Sequence, residues 1–236
     1  MRPLRPSGIV WSITAISLLA VTAAQGQTAA ARYPVMAPLA QYMMQPNAEA
    51  ALARSAAPQS ISGAAEVLVL GPKGLQVAAK GTNGWACLVE RSWNAAVDFP
   101  EFWNPKIRAP ICLNPAAVRS VLPVADLWTK MVLAGKSRPQ MAAAAKAAFA
   151  LGKLPALEPG AMSFMMSRHG YLSDVMPTHF HPHVMFFEPL GEGPQWAANL
   201  PGSPVFVGED KVNRMAILPV PVPRWSDGTL DADPAK

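Results

Sequence analysis

Hydrophobic residues in the first half of the chain are grouped into short runs of strand length. Residues 66–70, 75–80 and 85–93 are rich in apolar side chains. The segment 71–74 (GPKG) separates the first two runs, and the segment 81–84 (GTNG) separates the last two. Asn-Gly is the dipeptide that favours a tight hairpin turn with positive φ. The pattern therefore predicts three strands joined by short turns, in an antiparallel meander.

Capping residues and alanine content predict helices on either side of the chain's centre. Pro46 begins a helix that runs to about residue 56. Asn114 is an N-cap with a proline at the first helical position, and Pro123 breaks or kinks the helix that follows. The segment 137–140 (SRPQ) is typical of a capping box, and it begins an alanine-rich helix that extends through residue 151.

Strand-like runs return in the last third of the chain. Residues 161–167 and 184–188 have the length and apolar content of strands, and residues 205–207 and 215–220 are weaker candidates. Strands and helices do not alternate as in βαβ units, so the pattern predicts an α+β fold. We expect an antiparallel sheet of five or six strands with helices covering one face.

The N-terminus has the pattern of a secretory signal peptide. Arg2 and Arg5 precede an uncharged apolar run over residues 8–24, and small residues follow it. Ala24 and Gly26 fit the −3 and −1 positions, with cleavage before Gln27, and cleavage directly after Ala24 fits almost as well. The alternative is a retained anchor, although the run is at the lower edge of the roughly 17–25 residues that span a bilayer.

The rest of the chain is predicted to form one domain with appendages. With the signal peptide at residues 1–26, a flexible lead-in covers 27–45, because its residues are small, polar and punctuated by prolines. A single α+β domain covers 46–226, and a loose polar tail covers 227–236. No later stretch is long and apolar enough to span a membrane, so we expect no stable membrane span after cleavage.

Composition and charge exclude some classes of protein. Hydrophobic residues make up 51% of the chain and charged residues only 15%, which excludes wholesale disorder. The net charge of +5 falls to +3 when Arg2 and Arg5 are removed (20 − 2 − 15). The remaining basic residues are scattered, whereas a nucleic-acid-binding protein concentrates them on one face. We therefore expect no nucleic-acid partner, and a periplasmic or extracellular location.

The chain has two cysteines, Cys87 and Cys112. In an exported protein an even number of cysteines predicts a disulfide bond, and two buried thiols are the alternative. The bond would tie the segment 94–115 to the third predicted strand. That segment is rich in proline and aromatic residues and is expected to be irregular.

Three of the four histidines lie in one short segment, at His179, His181 and His183. In an extended segment these positions share one face, and Pro182 places the segment at a sheet edge, a bend or the start of a strand. Such a face suits a divalent metal, zinc or copper, with Asp174 as a further donor. A structural hydrogen-bond network and acid–base catalysis on an organic ligand are the other interpretations.

The sequence leaves three functions open. The first is an exported protein that binds a divalent metal or a small ligand through the strand of His179, His181 and His183. The second is a metal-dependent hydrolase or oxidase that uses the same histidines. The third is a structural or interaction protein whose contact surface is the aromatic loop over residues 99–112. The question of catalysis stays open, with the balance toward a protein that is not an enzyme.

Three segments of the chain resemble those of a group of exported bacterial proteins of unassigned function. They are residues 81–93 (GTNGWACLVERSW), 100–115 (PEFWNPKIRAPICLNP) and 179–189 (HFHPHVMFFEP). The resemblance covers roughly residues 60–190. It implies export, and it implies no activity, cofactor or site residue.

Overall fold

The computed structural model describes residues 32–174 and 180–232. The predicted signal peptide, His179 and the last four residues of the tail lie outside the described residues. Within the described part of the chain, no helix has the length and apolar character needed to cross a membrane.

Eight strands of the described residues form one mixed sheet, in the order β2-β1-β3-β4-β5-β6-β8-β7. Every pairing is antiparallel except that of β1 with β3, which is parallel. The predicted α+β class is confirmed, but the expected five or six strands are too few. The strands are β1 (Glu66–Gly71), β2 (Gly74–Ala79), β3 (Ala86–Glu90), β4 (Ala109–Leu113), β5 (Met162–Met165), β6 (His183–Pro189), β7 (Gly208–Asp210) and β8 (Met215–Pro221).

The predicted meander of the first three strands is wrong, because β3 pairs with β1 and not with β2. The segment after β2 crosses the start of β1, where a Cβ on Gly81 would lie 2.1 Å from the backbone nitrogen of Glu66. The side chain of Asn83 accepts a hydrogen bond from the nitrogen of Trp85 at 3.1 Å and donates one to the carbonyl of Ile61 at 2.8 Å. The Asn83-Gly84 dipeptide therefore lies in a segment that crosses from β2 to the far side of β1, and it does not form a hairpin turn between β2 and β3.

The helices lie on both faces of the sheet, and not on one face as expected. Val67 and Cys87 pack with Ala53 of the first helix. Leu68 and Leu88 belong instead to the hydrophobic cluster that contains Trp128 of the fourth helix. Neighbouring residues of a strand point to opposite faces, so the two clusters lie on opposite sides. The helices are α1 (Pro46–Arg54), α2 (Gln59–Ser62), α3 (Pro115–Ser120), α4 (Leu122–Leu133) and α5 (Arg138–Ala150), with short 3₁₀ helices at Leu39–Gln41, Ser92–Asn94 and Gly193–Trp196.

The disulfide between Cys87 and Cys112 is present, as predicted, and it is fully buried. The two residues are direct partners on β3 and β4, with their Cα atoms 4.0 Å apart. The bond therefore links adjacent strands of the sheet and does not fasten an irregular loop to it. Phe102 and Trp103 are also buried, so these two aromatic side chains belong to the core and not to an exposed contact surface.

Parts of the predicted lead-in and tail contact the domain. Tyr42 is fully buried, and its hydroxyl donates a hydrogen bond to the carbonyl of Trp103 at 2.8 Å. The hydroxyl of Tyr33 donates to the carboxylate of Asp174. At the other end, the nitrogen of Trp225 donates to the carbonyl of Thr229 at 2.9 Å. Tyr33 and Tyr42 of the lead-in and Thr229 of the tail are thus anchored by specific hydrogen bonds.

Candidate functional site

A cavity of about 220 Å³ lies between the sheet and α4. Its walls are mainly apolar, and most of the strands from β3 to β8 contribute to them. Asn94, Ala95 and Phe99 are half-buried members of the lining, so part of the wall is reachable by solvent. The apolar lining comprises Ala95, Phe99, Ile107, Ala109, Ile111, Val121, Val124, Ala125, Trp128, Met165, Leu172, Met185, Phe187, Met215 and Ile217.

Glu90, the last residue of β3, lines this cavity. It has the same strand parity as Leu88, whose side chain lies in the core on the cavity side. Among the described residues its carboxyl group has neither a salt bridge nor a hydrogen-bond donor. Burial among apolar atoms disfavours the charged carboxylate and raises the pKa of Glu90 to about 8. A carboxylic acid that titrates near neutral pH in a cavity is a candidate for a functional group.

Arg91 follows Glu90 but does not pair with it. Its guanidinium lies 2.9 Å from Oε1 of Glu49 on α1, and both side chains are almost completely buried. Its Nε also donates a hydrogen bond to the carbonyl of Tyr42 at 2.8 Å. Glu90 and Arg91 therefore form no ion pair with each other, because the positive charge of Arg91 is neutralised by Glu49 on the side of α1.

Other polar groups of the lining are of two kinds. Asp210 accepts hydrogen bonds from the nitrogens of Val212 and Asn213 at 3.1 and 3.0 Å, and Asn213 accepts one from Nε1 of Trp128 at 2.8 Å. These groups are satisfied. Ser92, by contrast, is only 1% exposed, and its Oγ has no hydrogen-bond partner within the described residues. A buried hydroxyl without a partner costs free energy, so a ligand that satisfied it would be stabilised.

The histidine strand borders the cavity but gives it no imidazole among the described residues. Met185 and Phe187 of β6 line the cavity, and His183 has the same parity and pairs with Met165 of β5. The face of β6 that begins with His183 therefore continues with the apolar side chains of Met185 and Phe187. Phe186 has the opposite parity and stacks on Trp196.

His181 and His183, the two described histidines of this segment, make different contacts through their Nδ1 atoms. Nδ1 of His183 lies 2.8 Å from the carbonyl oxygen of His181. A carbonyl can only accept, so Nδ1 carries the proton and the lone pair is on Nε2. Burial lowers the pKa of His183 and favours the neutral ring. Nδ1 of His181 lies 2.6 Å from Oδ2 of Asp231. Contacts of this kind also orient metal-binding imidazoles.

A metal site at these histidines stays a prediction, because His179 lies outside the described residues. Within residues 32–174 and 180–232, no group of three or more His, Cys, Asp or Glu side chains could hold a metal ion. Asp174, the proposed further donor, lies in a separate set of contacts. Its carboxylate accepts hydrogen bonds from the hydroxyls of Tyr33 and Tyr171 and pairs with Lys106 at 3.2 Å. These donors hold the pKa of Asp174 well below its usual range.

Comparison of the chain with protein-family models, with curated proteins and with solved structures found no significant match.

Sequence reasoning missed Glu90 as a site residue. The available signal was parity, since Glu90 occupies a position that shares its face with Leu88 in an otherwise apolar strand. An acidic residue at such a position is unusual without a paired cation. The adjacent Arg91 made this signal hard to recognise, because in the sequence it looks like a partner for Glu90. In the structure Arg91 pairs with Glu49 instead.

Proposed function

We propose that this protein binds a small, largely apolar molecule in the cavity between the sheet and α4. The observation that supports this proposal is a cavity of about 220 Å³ with a mainly apolar lining and a carboxyl group that has no partner among the described residues. Such a combination of apolar walls and a few polar groups is the usual design of a ligand site. The binding site of the proposal is adjacent to the histidine strand and uses Met185 and Phe187 of that strand.

The size of the cavity limits the ligand. A cavity of about 150 Å³ takes benzene, and pockets for drug-sized ligands measure about 300–1,000 Å³. The cavity of about 220 Å³ lies between these values. A single ring with a short substituent therefore fits, and a larger cofactor does not fit without rearrangement of the walls.

The proposed place of action is outside the cytoplasm. The buried disulfide supports this location, since such bonds persist in oxidising compartments. The signal-peptide pattern at Arg2, Arg5 and residues 8–24 supports it independently. We propose a periplasmic or extracellular binding protein, with no nucleic-acid partner.

Titration with benzyl alcohol tests the proposed function. We expect the purified protein to bind it in the cavity with a dissociation constant between about 10 µM and 1 mM, which is an ordinary affinity for eight non-hydrogen atoms. Ala95→Leu and Ala125→Leu add volume to the lining and should weaken binding at least about tenfold. Ala143→Leu, on the exposed side of α5, is the matched control and should bind as the wild type does.

Two results would overturn the proposal. One is the absence of binding by the folded wild-type protein up to millimolar ligand. The other is equal binding by the wild type and by both filled variants, with NMR shift changes that lie away from the cavity. Two cavity-filling variants are compared so that a loss of binding can be distinguished from a loss of fold. Half-buried Ala95 tolerates a larger side chain more readily than buried Ala125 does.

A further inference from the structure

We infer that the ligands of this cavity are primary amines carried on a single apolar ring, with the ammonium group paired to the carboxylate of Glu90 and hydrogen-bonded to Oγ of Ser92. This inference rests on the proposed function, because it requires the cavity to hold a ligand. It names the chemical class of that ligand.

The charges of the lining favour a cation. Its charged side chains are Glu90, Arg91 and Asp210. The charge of Arg91 is already neutralised by Glu49 at 2.9 Å. Asp210 accepts its hydrogen bonds from uncharged N–H groups of Val212 and Asn213. Two carboxyl groups thus border the cavity without a compensating cation among the described residues, and a cationic ligand supplies the missing charge.

An ammonium group stabilises the ionised carboxylate of Glu90 more than any neutral ligand does. Burial makes ionisation of this carboxyl costly, as its pKa of about 8 shows. An opposite charge within about 4–6 Å favours the ionised form, so amine binding and loss of the proton from Glu90 are coupled. An alcohol leaves Glu90 protonated and adds one hydrogen bond, and a carboxylate ligand makes ionisation of Glu90 still less favourable.

Ser92 provides the second contact for the ammonium group. It lies two residues after Glu90, and its buried Oγ has no hydrogen-bond partner within the part of the chain that the structure describes. A hydroxyl oxygen accepts as well as donates, and an ammonium group has three N–H donors. The same ligand therefore satisfies the buried hydroxyl of Ser92 and the half-buried carboxylate of Glu90, which is the complementarity that an apolar cavity uses to orient its ligand.

A comparison of benzylamine with benzyl alcohol tests the inference. The two probes differ in the polar group alone, and benzylamine stays protonated at both pH values used. At about pH 8 the wild type should bind benzylamine at least about tenfold more tightly than benzyl alcohol. At about pH 6, where Glu90 is protonated, benzylamine should bind at least about tenfold more weakly than at pH 8. Calorimetry at pH 6 should also show proton release on binding.

Variants assign the effect to named side chains. Glu90→Gln should remove the preference for benzylamine over benzyl alcohol together with its pH dependence. Ser92→Ala should reduce the preference by a smaller factor, because one neutral acceptor is lost. Glu209→Gln, at an exposed position of β7, is the matched control and should keep the preference of the wild type.

The outcomes separate this inference from the proposed function. If benzyl alcohol binds in the cavity and benzylamine binds no more tightly at pH 8, the amine class is wrong and the cavity function stands. An unchanged preference in Glu90→Gln would also contradict the inference. If neither probe binds to the folded protein, the proposed function fails and the inference fails with it.

Discussion

Glu90 shows how one residue takes its chemistry from its surroundings. In water a glutamate is ionised at neutral pH, but the apolar groups around the end of β3 raise the pKa of Glu90 to about 8. The folded state therefore holds a proton on Glu90 more firmly than the unfolded state does. The contribution of this group to stability is most favourable below its ordinary pKa and is lost as the pH rises toward 8.

Replacing Glu90 should change the pH dependence of stability. We expect Glu90→Gln to have nearly the stability of the wild type at about pH 4, and to become more stable than the wild type by about 1–3 kcal/mol at about pH 8. The cause is that glutamine cannot ionise and avoids the cost of placing a charge among apolar atoms at this half-buried position. Urea denaturation across this pH range measures the difference.

The exposed Glu209→Gln variant is the control for this measurement, and its curve should follow that of the wild type. Parallel pH dependences for wild type and Glu90→Gln would show that Glu90 ionises without cost and would contradict the environment described above.

The histidine segment makes a second prediction at the scale of residues. If His179, His181 and His183 bind a metal, titration with Cu²⁺ or Zn²⁺ should show tight binding that His181→Ala loses. The variant should keep its fold, because the His181 side chain is 52% exposed. The contact of its Nδ1 with Asp231 then orients the ring, so Asp231→Asn should weaken binding by about 10–100-fold.

Equal metal affinity in the wild type and in His181→Ala would contradict the metal site. It would favour the interpretation that these histidines form a structural hydrogen-bond network. In that case the contacts of His181 with Asp231 and of His183 with the His181 carbonyl only order the entry to β6. Competition between Cu²⁺ and protons, measured between about pH 5 and 7, adds a further check because a metal ligand must be deprotonated.

At the scale of elements, the β3–β4 pair decides what the disulfide does. Five residue pairs join these strands, and Cys87 and Cys112 are one of them. The aromatic loop before β4 is held by its own burial, since Phe102 contacts Trp103 and Trp128 edge to face. The loop therefore does not depend on the disulfide as its main tether.

Removal of the disulfide should lower stability without releasing the loop. We expect the double variant Cys87→Ser and Cys112→Ser to lose about 2–5 kcal/mol in free energy of unfolding. Hydrogen exchange under native conditions should keep the amides of Phe102 and Asn104 protected, because both residues are buried. Wild-type protein reduced with dithiothreitol is the control. Complete exchange at these amides in a folded variant would show that the disulfide holds the loop after all.

At the scale of the whole molecule, the described domain and the N-terminal pattern predict an exported protein. Intact-mass measurement on protein from the cell envelope should show the loss of about 24–26 residues. Leu18→Arg places a charge in the apolar run and should leave an uncleaved chain in the cytoplasm. Recovery of the full-length wild-type chain from the cytoplasm would contradict the signal-peptide interpretation.

Local features of the fold could be predicted because their causes lie within a few residues. Asn114 caps α3 by accepting a hydrogen bond from the nitrogen of Ala117 at 2.9 Å, and the capping box of Ser137 and Gln140 begins α5. The turn at 71–74 likewise joins β1 to β2. The disulfide pairing was determined for a different reason, since a chain with two cysteines allows only one internal bond.

Strand pairing and the electrostatics of the site were decided by the tertiary structure alone. The sequence did not predict β4, because Pro110 argues against a strand. In the structure only Cys112 and Leu113 of β4 pair with β5, so Pro110 lies outside the β4–β5 ladder. β3 joined β1 because the chain crossed at Gly81. Arg91 pairs with Glu49, which lies 42 positions earlier in the sequence (91 − 49). Glu90 therefore lines the apolar cavity without a paired cation among the described residues. Desolvation and charge pairing depend on which distant residues are in contact, and no local pattern contains that information.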